Sequence, residues 1–194
     1  MKHTKVICAF PACGKTYCFN NKKSNVTILD SDSSNFNWML RKRTEEELER
    51  IRVEWDTNIH LLDGHSYIEQ IRDELIKVRN PDFPRNYIEH IKENIGKVDY
   101  IFVSTHKEVR EALKEANIDF ALVFPNRTLK AEWVGRCYLR NSGTAFCDVI
   151  AKEWDNWMLE MDTECKENNR KHVRLKHGEY LNDVLEYINL LYHV

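Results

Sequence analysis

"VICAFPACGKTY", residues 6–17, decides how the rest of the chain is read. An apolar run gives way to Pro11, Ala12 and Cys13, and then to Gly14, Lys15 and Thr16. That is the order of a phosphate-binding loop set between a strand and a helix. Such a loop works because successive backbone N–H groups wrap a phosphate at a helix N-terminus, where the helix dipole adds positive potential. The lysine reaches the outer phosphates and the next hydroxyl ligates magnesium. Ala9 and Ala12 stand where such loops usually carry glycine, and alanine takes a positive φ only at a cost of about 1 kcal/mol or more. Ala9 closes the strand and needs no unusual angle, which leaves Ala12 as the position where φ matters.

Outward from this stretch, short apolar runs at 5–10, 26–30, 99–104, 119–125 and 172–175 alternate with helical patterns, the mark of an α/β protein. "YIFVS" is almost unbroken apolar, as a parallel strand covered on both faces requires. Between 36 and 96 the chain reads as charged, mostly helical and without a buried strand. Thr44 with Glu47 and Ser66 with Glu69 form capping-box patterns before "ELERIRVEW" and "IRDELIKV", and 84–96 reads as a third helix with Ile88, Ile91 and Ile95 on one face. Thr105 with Glu108 caps a helix after the third strand. Ile150, Trp154, Met158 and Met161 give a long amphipathic helix its core stripe. Parallel strands joined by right-handed helical crossovers make a three-layer αβα sandwich, and ligands bind outside the carboxyl ends of its strands.

A chain of 194 residues, 42% hydrophobic and 31% charged, suits one domain of ordinary size or one domain with a movable insertion. Its formal net charge of -2 gives no overall pull toward nucleic acid or an anionic membrane, so a nucleic-acid partner is not expected, although a local basic face stays open. No apolar run approaches the ~18 residues of a membrane span, so a cytoplasmic protein without a membrane partner is expected. The cysteines at 8, 13, 18, 137, 147 and 165 include no CxxC pair and read as reduced thiols, not metal ligands.

Several residues outside the loop could carry chemistry. Asp30 and Asp32 in "ILDSDSS" alternate along an extended chain and so face one side, unless they serve only as a polar turn. Phosphoryl transfer needs arginines to stabilise charge, and Arg127, Arg136 and Arg140 lie in one basic segment, the last two a helical turn apart. "YIFVSTH" puts Ser104, Thr105 and His106 where many phosphate-loop proteins place a metal-holding aspartate; Ser104 and His106 could meet an acceptor, or His106 could simply begin a helix. Arg79 and Arg85 flank "NPDFP". Phe36, Trp38, Phe83 and Tyr87 could stack on a base or pack between helices.

"AFPACGKT", "LDSDSS" and the basic segment after the fourth strand together resemble the nucleoside monophosphate kinase and shikimate/gluconate kinase group of P-loop proteins. The resemblance implies one kinase-like domain over 1–194, a five-stranded parallel sheet of order 2-3-1-4-5, a helical acceptor-binding insertion at 36–96 and a lid at 126–143. ATP and magnesium would be the cofactors. Pro11, Ala12, Cys13, Gly14, Lys15, Thr16 and Tyr17 would hold the phosphates, His177 and Gly178 the adenine, and Thr16 and Asp30 the metal. Lys15, Asp32, Arg127, Arg136 and Arg140 would act in the transfer. Asp32, Arg41, Arg43, Arg79, Phe83, Ser104 and His106 would bind the acceptor, a small molecule for which a (deoxy)nucleoside monophosphate ranks first. Two alternatives remain: a hydroxyl-bearing metabolite or modified nucleoside as acceptor, or a nucleotide-binding regulatory protein without kinase turnover. The oligomeric state is left open.

Overall fold

The computed structural model describes residues 2–58 and 75–193. It divides into two compact units, 1–33 with 84–194 and 34–83.

The first unit is built on a five-stranded parallel sheet. Its strands are β1 (Lys5–Ala9), β2 (Ile28–Asp30), β5 (Tyr100–Val103), β6 (Phe120–Pro125) and β7 (His172–Leu175). The order is β2-β5-β1-β6-β7. It differs from the expected 2-3-1-4-5 because β3 (Trp38–Lys42) and β4 (Leu75–Arg79), two strands not counted in the sequence, precede β5 along the chain. In space the large sheet runs 28–30, 100–103, 5–9, 120–125, 172–175, with Val6 opposite Ile101 and Phe120. Ile7, Ile101, Phe102, Val103 and Leu122 are fully buried, which explains why these strands read as continuous apolar runs.

The helices cover this sheet by their periodic apolar faces. They are α1 (Lys15–Asn20), α4 (Arg85–Asn94), α5 (Lys107–Glu115), α6 (Lys130–Leu139), α7 (Thr144–Glu167) and α8 (Leu181–Leu191), with a 3-10 turn at Arg127–Leu129 before α6. In α7, Ile150, Trp154, Met158 and Met161 are buried at helical spacing, as expected. Asn117, at φ 54, lets the chain turn out of α5, and the Ile118 N–H donates to Leu113 O at 2.9 Å. Arg110 of α5 is buried against Glu160 and Glu164 of α7 and also donates to the Thr105 carbonyl, fixing the turn after β5. All six cysteines are buried free thiols.

The second unit, Ser34–Phe83, holds α2 (Ser34–Asn37), α3 (Glu45–Asn58) and an antiparallel ribbon of β3 and β4. The Thr44 and Glu47 capping box forms: the Glu47 N–H donates to Thr44 Oγ1 and the Thr44 N–H to Glu47 Oε2. Ser66 and Glu69 lie outside the described residues. The helix expected over "IRDELIKV" is corrected at its end, because Leu75–Arg79 is a strand. Ile76 and Val78 alternate there with exposed Leu75, Lys77 and Arg79, a period of two that suits pairing with β3. The helix at 84–96 forms as Arg85–Asn94, but it belongs to the first unit and not to the insertion.

Candidate functional site

The chain leaves β1 toward β2 on one side and crosses from β5 to β6 on the other, so the turn after β1 sits at the point where the connections change direction. The Phe10 N–H extends the ladder by donating to Val123 O at 2.9 Å, and the loop then turns at Ala12 with φ 61 and at Gly14 with φ 92. Ala9 is in the strand and Ala12 is left-handed, so the conformational question falls on Ala12 alone. Gly14 is the N-cap of α1 and supplies no side chain to its first turn. A Cβ there would also come within 3.3 Å of the Tyr180 ring.

The loop is held from outside by two bonds to its carbonyls. Trp133 Nε1 donates to Pro11 O at 2.9 Å and the Leu181 N–H to Cys13 O at 2.8 Å. The Cys13 side chain is buried against the Val123 carbonyl, and burial pushes its thiol up to about 12, so it is a packing group and not a nucleophile. Lys15 Nζ donates to Ala9 O at 2.7 Å and Phe10 O at 3.4 Å; desolvation holds its ammonium below the ordinary lysine value. Thr16 Oγ1 donates to Asp30 Oδ2 at 2.8 Å, joining the helix start to the end of β2. A hydroxyl and a carboxylate are hard oxygen donors, and magnesium is commonly held by one or two such groups together with phosphate and water. The pair therefore fits that ion.

A cleft of about 450 Å³ opens between the loop and Tyr17, Arg136, Leu139, Arg140 and Tyr180. Of the three candidate arginines, Arg140 and Arg136 line it. Arg136 is committed: its guanidinium lies 4.0 Å from the Trp133 ring centre and 3.9 Å from that of Tyr180, pairs with Glu132, and donates to Glu179 O at 2.9 Å. Arg127 instead pairs with Asp155 of α7 at 2.8 Å and is not among the cleft-lining residues.

Glu132 ties α6 to the turn that carries His177 and Gly178. Its carboxylate accepts from His177 Nδ1 at 2.7 Å and from the Gly178 N–H at 3.1 Å, besides its pair with Arg136. Burial would raise this carboxyl, but the bonds from Gly178, His177 and Arg136 hold it below the ordinary value. The expected lid is thus a helix with Trp133 and Cys137 buried beneath it and anchored at the phosphate loop and at the 177–179 turn.

At the ends of β2 and β5, His106 Nδ1 lies 3.2 Å from Ser104 Oγ and 3.5 Å from Ser33 Oγ, while Asp32 is exposed nearby in sequence. His106 is also the N-cap residue of α5, as its helix-start reading expects. Tyr87 is fully buried and donates to Ser31 O at 2.6 Å, which makes it a packing residue and not a stacking platform. Arg41, Arg43, Arg79 and Phe83 belong to the second unit. There Arg41 makes a bidentate pair with Glu47, both bonds at 2.7 Å, and Arg79 lies over the buried Phe83 ring at 4.7 Å.

The sequence reading missed Glu132, Trp133, Leu139 and Tyr180. Their only local signals were an acid four residues before Arg136 and an aromatic just after the "KHGE" turn, and neither points to a phosphate loop far away along the chain. Neither a protein-family model nor a curated protein sequence matches this chain. The fold and the cleft define an α/β protein whose polar groups converge on the turn after its central strand.

Proposed function

We propose that this protein transfers the γ-phosphoryl group of ATP, with magnesium, to a small acceptor, a (deoxy)nucleoside monophosphate being the first class to test. The reading is carried by one observation: Thr16 meets Asp30 directly beside Lys15, at the switch point of a parallel sheet. ATP supplies the phosphoryl group, and magnesium neutralises part of its charge when bound to Thr16 and Asp30. The loop N–H groups grip the phosphates, and Lys15 exchanges its carbonyl partners for phosphate oxygens. Arg140, exposed at the cleft, is the arginine available to stabilise charge that develops in transfer, since Arg136 is locked between two rings. Asp32, Ser104 and His106 orient the acceptor.

A second reading, a hydroxyl acceptor on a nucleoside or small metabolite, is favoured by the engagement of Arg41 with Glu47, which removes one candidate phosphate ligand. ATP consumption against a panel of nucleotides, nucleosides and hydroxy metabolites tests both. Lys15→Ala should cost on the order of 10²-fold or more in turnover. Asp32→Asn should slow a hydroxyl acceptor far more than a phosphate acceptor, because only the hydroxyl needs a base. If no compound raises turnover above the Lys15→Ala level, the kinase reading is overturned and a binding or regulatory role replaces it.

A further inference from the structure

The β3–β4 ribbon carries a pattern that phosphoryl transfer does not use. Residues directly opposite in an antiparallel pair share a face, as do residues two apart along a strand. Trp38 is opposite Arg79, Leu40 opposite Lys77 and Lys42 opposite Leu75, so these six residues form one face. Every cross-strand pair on it joins one apolar and one cationic side chain, and among the described residues the face holds no carboxylate. It is also open: Trp38 is 41%, Leu40 63% and Leu75 44% exposed, and all three cations are exposed. On the opposite face Met39 is exposed, but Ile76 and Val78 are half-buried and Arg41 reaches Glu47 of α3. Among the acids of α3, Glu47 is thereby paired with a cation of the ribbon.

A checkerboard of cations and apolar groups around a tryptophan matches a ligand that alternates anionic and flat apolar parts. A single strand of nucleic acid has that alternation, with a phosphate and a base in each repeat. A duplex hides its base faces and offers the ribbon only phosphates. Lys77 Nζ and the Arg79 guanidinium lie over the Trp38 ring, 5.5 and 6.0 Å from its centre, so a base that stacks on the ring face takes their place there and brings its phosphate within reach of both. The four steps from residue 38 to 42 span roughly 13 Å, room for about two nucleotides.

We propose that the outer face of the β3–β4 ribbon binds single-stranded nucleic acid, with Trp38 as the stacking platform and Lys42, Lys77 and Arg79 as phosphate partners. The overall charge of -2 does not oppose this, because three of the ribbon's four cations, Lys42, Lys77 and Arg79, share one face.

Fluorescence anisotropy of a labelled oligothymidylate of about 12 nucleotides with the full-length protein tests the proposal. Binding should weaken with salt at a log–log slope of about 2, as three phosphate contacts on a single strand require. Lys42→Glu with Lys77→Glu should lower affinity at least tenfold and flatten that slope. Trp38→Ala should lower affinity about tenfold, and Trp38→Phe should restore most of it. ATP should not displace the oligonucleotide, which separates this face from the phosphate-loop cleft. Circular dichroism matching the wild type qualifies each variant. The proposal is overturned if qualified variants bind as the wild type does, if a duplex binds as tightly as the single strand, or if anionic vesicles are bound and the oligonucleotide is not.

Discussion

At the scale of single residues, Ala12 carries the cost of the loop. An alanine at φ 61 is strained by about 1 kcal/mol, whereas glycine at that angle is not, although glycine gives back part of the gain through its freer unfolded chain. Ala12→Gly should therefore stabilise the protein by about 0.5–1 kcal/mol, a rise of roughly 1–4 °C in Tm by scanning calorimetry, and Ala12→Val should lower it. The sequence isolated Ala12 as the residue to watch but could not give its φ, because that angle is imposed by what holds the loop, Trp133 and Leu181, more than a hundred positions away. Glu47 offers a residue-level test of a different kind. The Arg41 guanidinium and the Thr44 N–H hold its carboxyl at about 2, against 4.5 ordinarily. A depressed carboxylate contributes stability that is whole above its unfolded value and lost as pH falls through its folded one. The gap in urea midpoint between wild type and Glu47→Gln should thus be constant near neutrality and close between pH 4.5 and about 2.

At the scale of elements, Glu132 shows how α6 and the 177–179 turn are joined. Glu132→Gln removes the charge that meets Arg136, a side chain only 9% exposed, and should cost about 1–3 kcal/mol in denaturant unfolding. If that turn holds the adenine, KM for ATP should rise more than kcat falls. The large sheet was legible because a strand covered on both faces has to be apolar throughout, and "KVICA", "YIFV" and "FALVFP" have few other readings. The ribbon was not. "WMLRK" and "LIKVR" mix apolar and cationic residues on an exposed face, so the contrast on which a period-two reading depends is weak, and helix-forming Leu, Lys and Arg filled the gap. The candidate site divides in the same way. Lys15, Thr16 and Asp30 were legible from local order, while the commitments of Arg136 to two rings and of Arg127 to Asp155 depend on long-range packing.

At the scale of the whole molecule, ligand binding should appear as stability. A nucleotide at 100 times its Kd adds about 2.7 kcal/mol to the folded state. The Tm of the wild type should rise with ATP and magnesium, and that of Lys15→Ala should rise much less at the same concentration. The distribution of cysteine gives a way to follow the two units separately. All six thiols are buried, and every one lies in the unit of 1–33 and 84–194, none in 34–83. An alkylating reagent can reach them only when that unit opens, so the labelling rate is a clock for that unit, sheet and helices together, and is blind to the ribbon and α3. Helical signal lost in denaturant before any thiol is modified would then belong to the insertion, and simultaneous loss would mean that the two units open as one cooperative body.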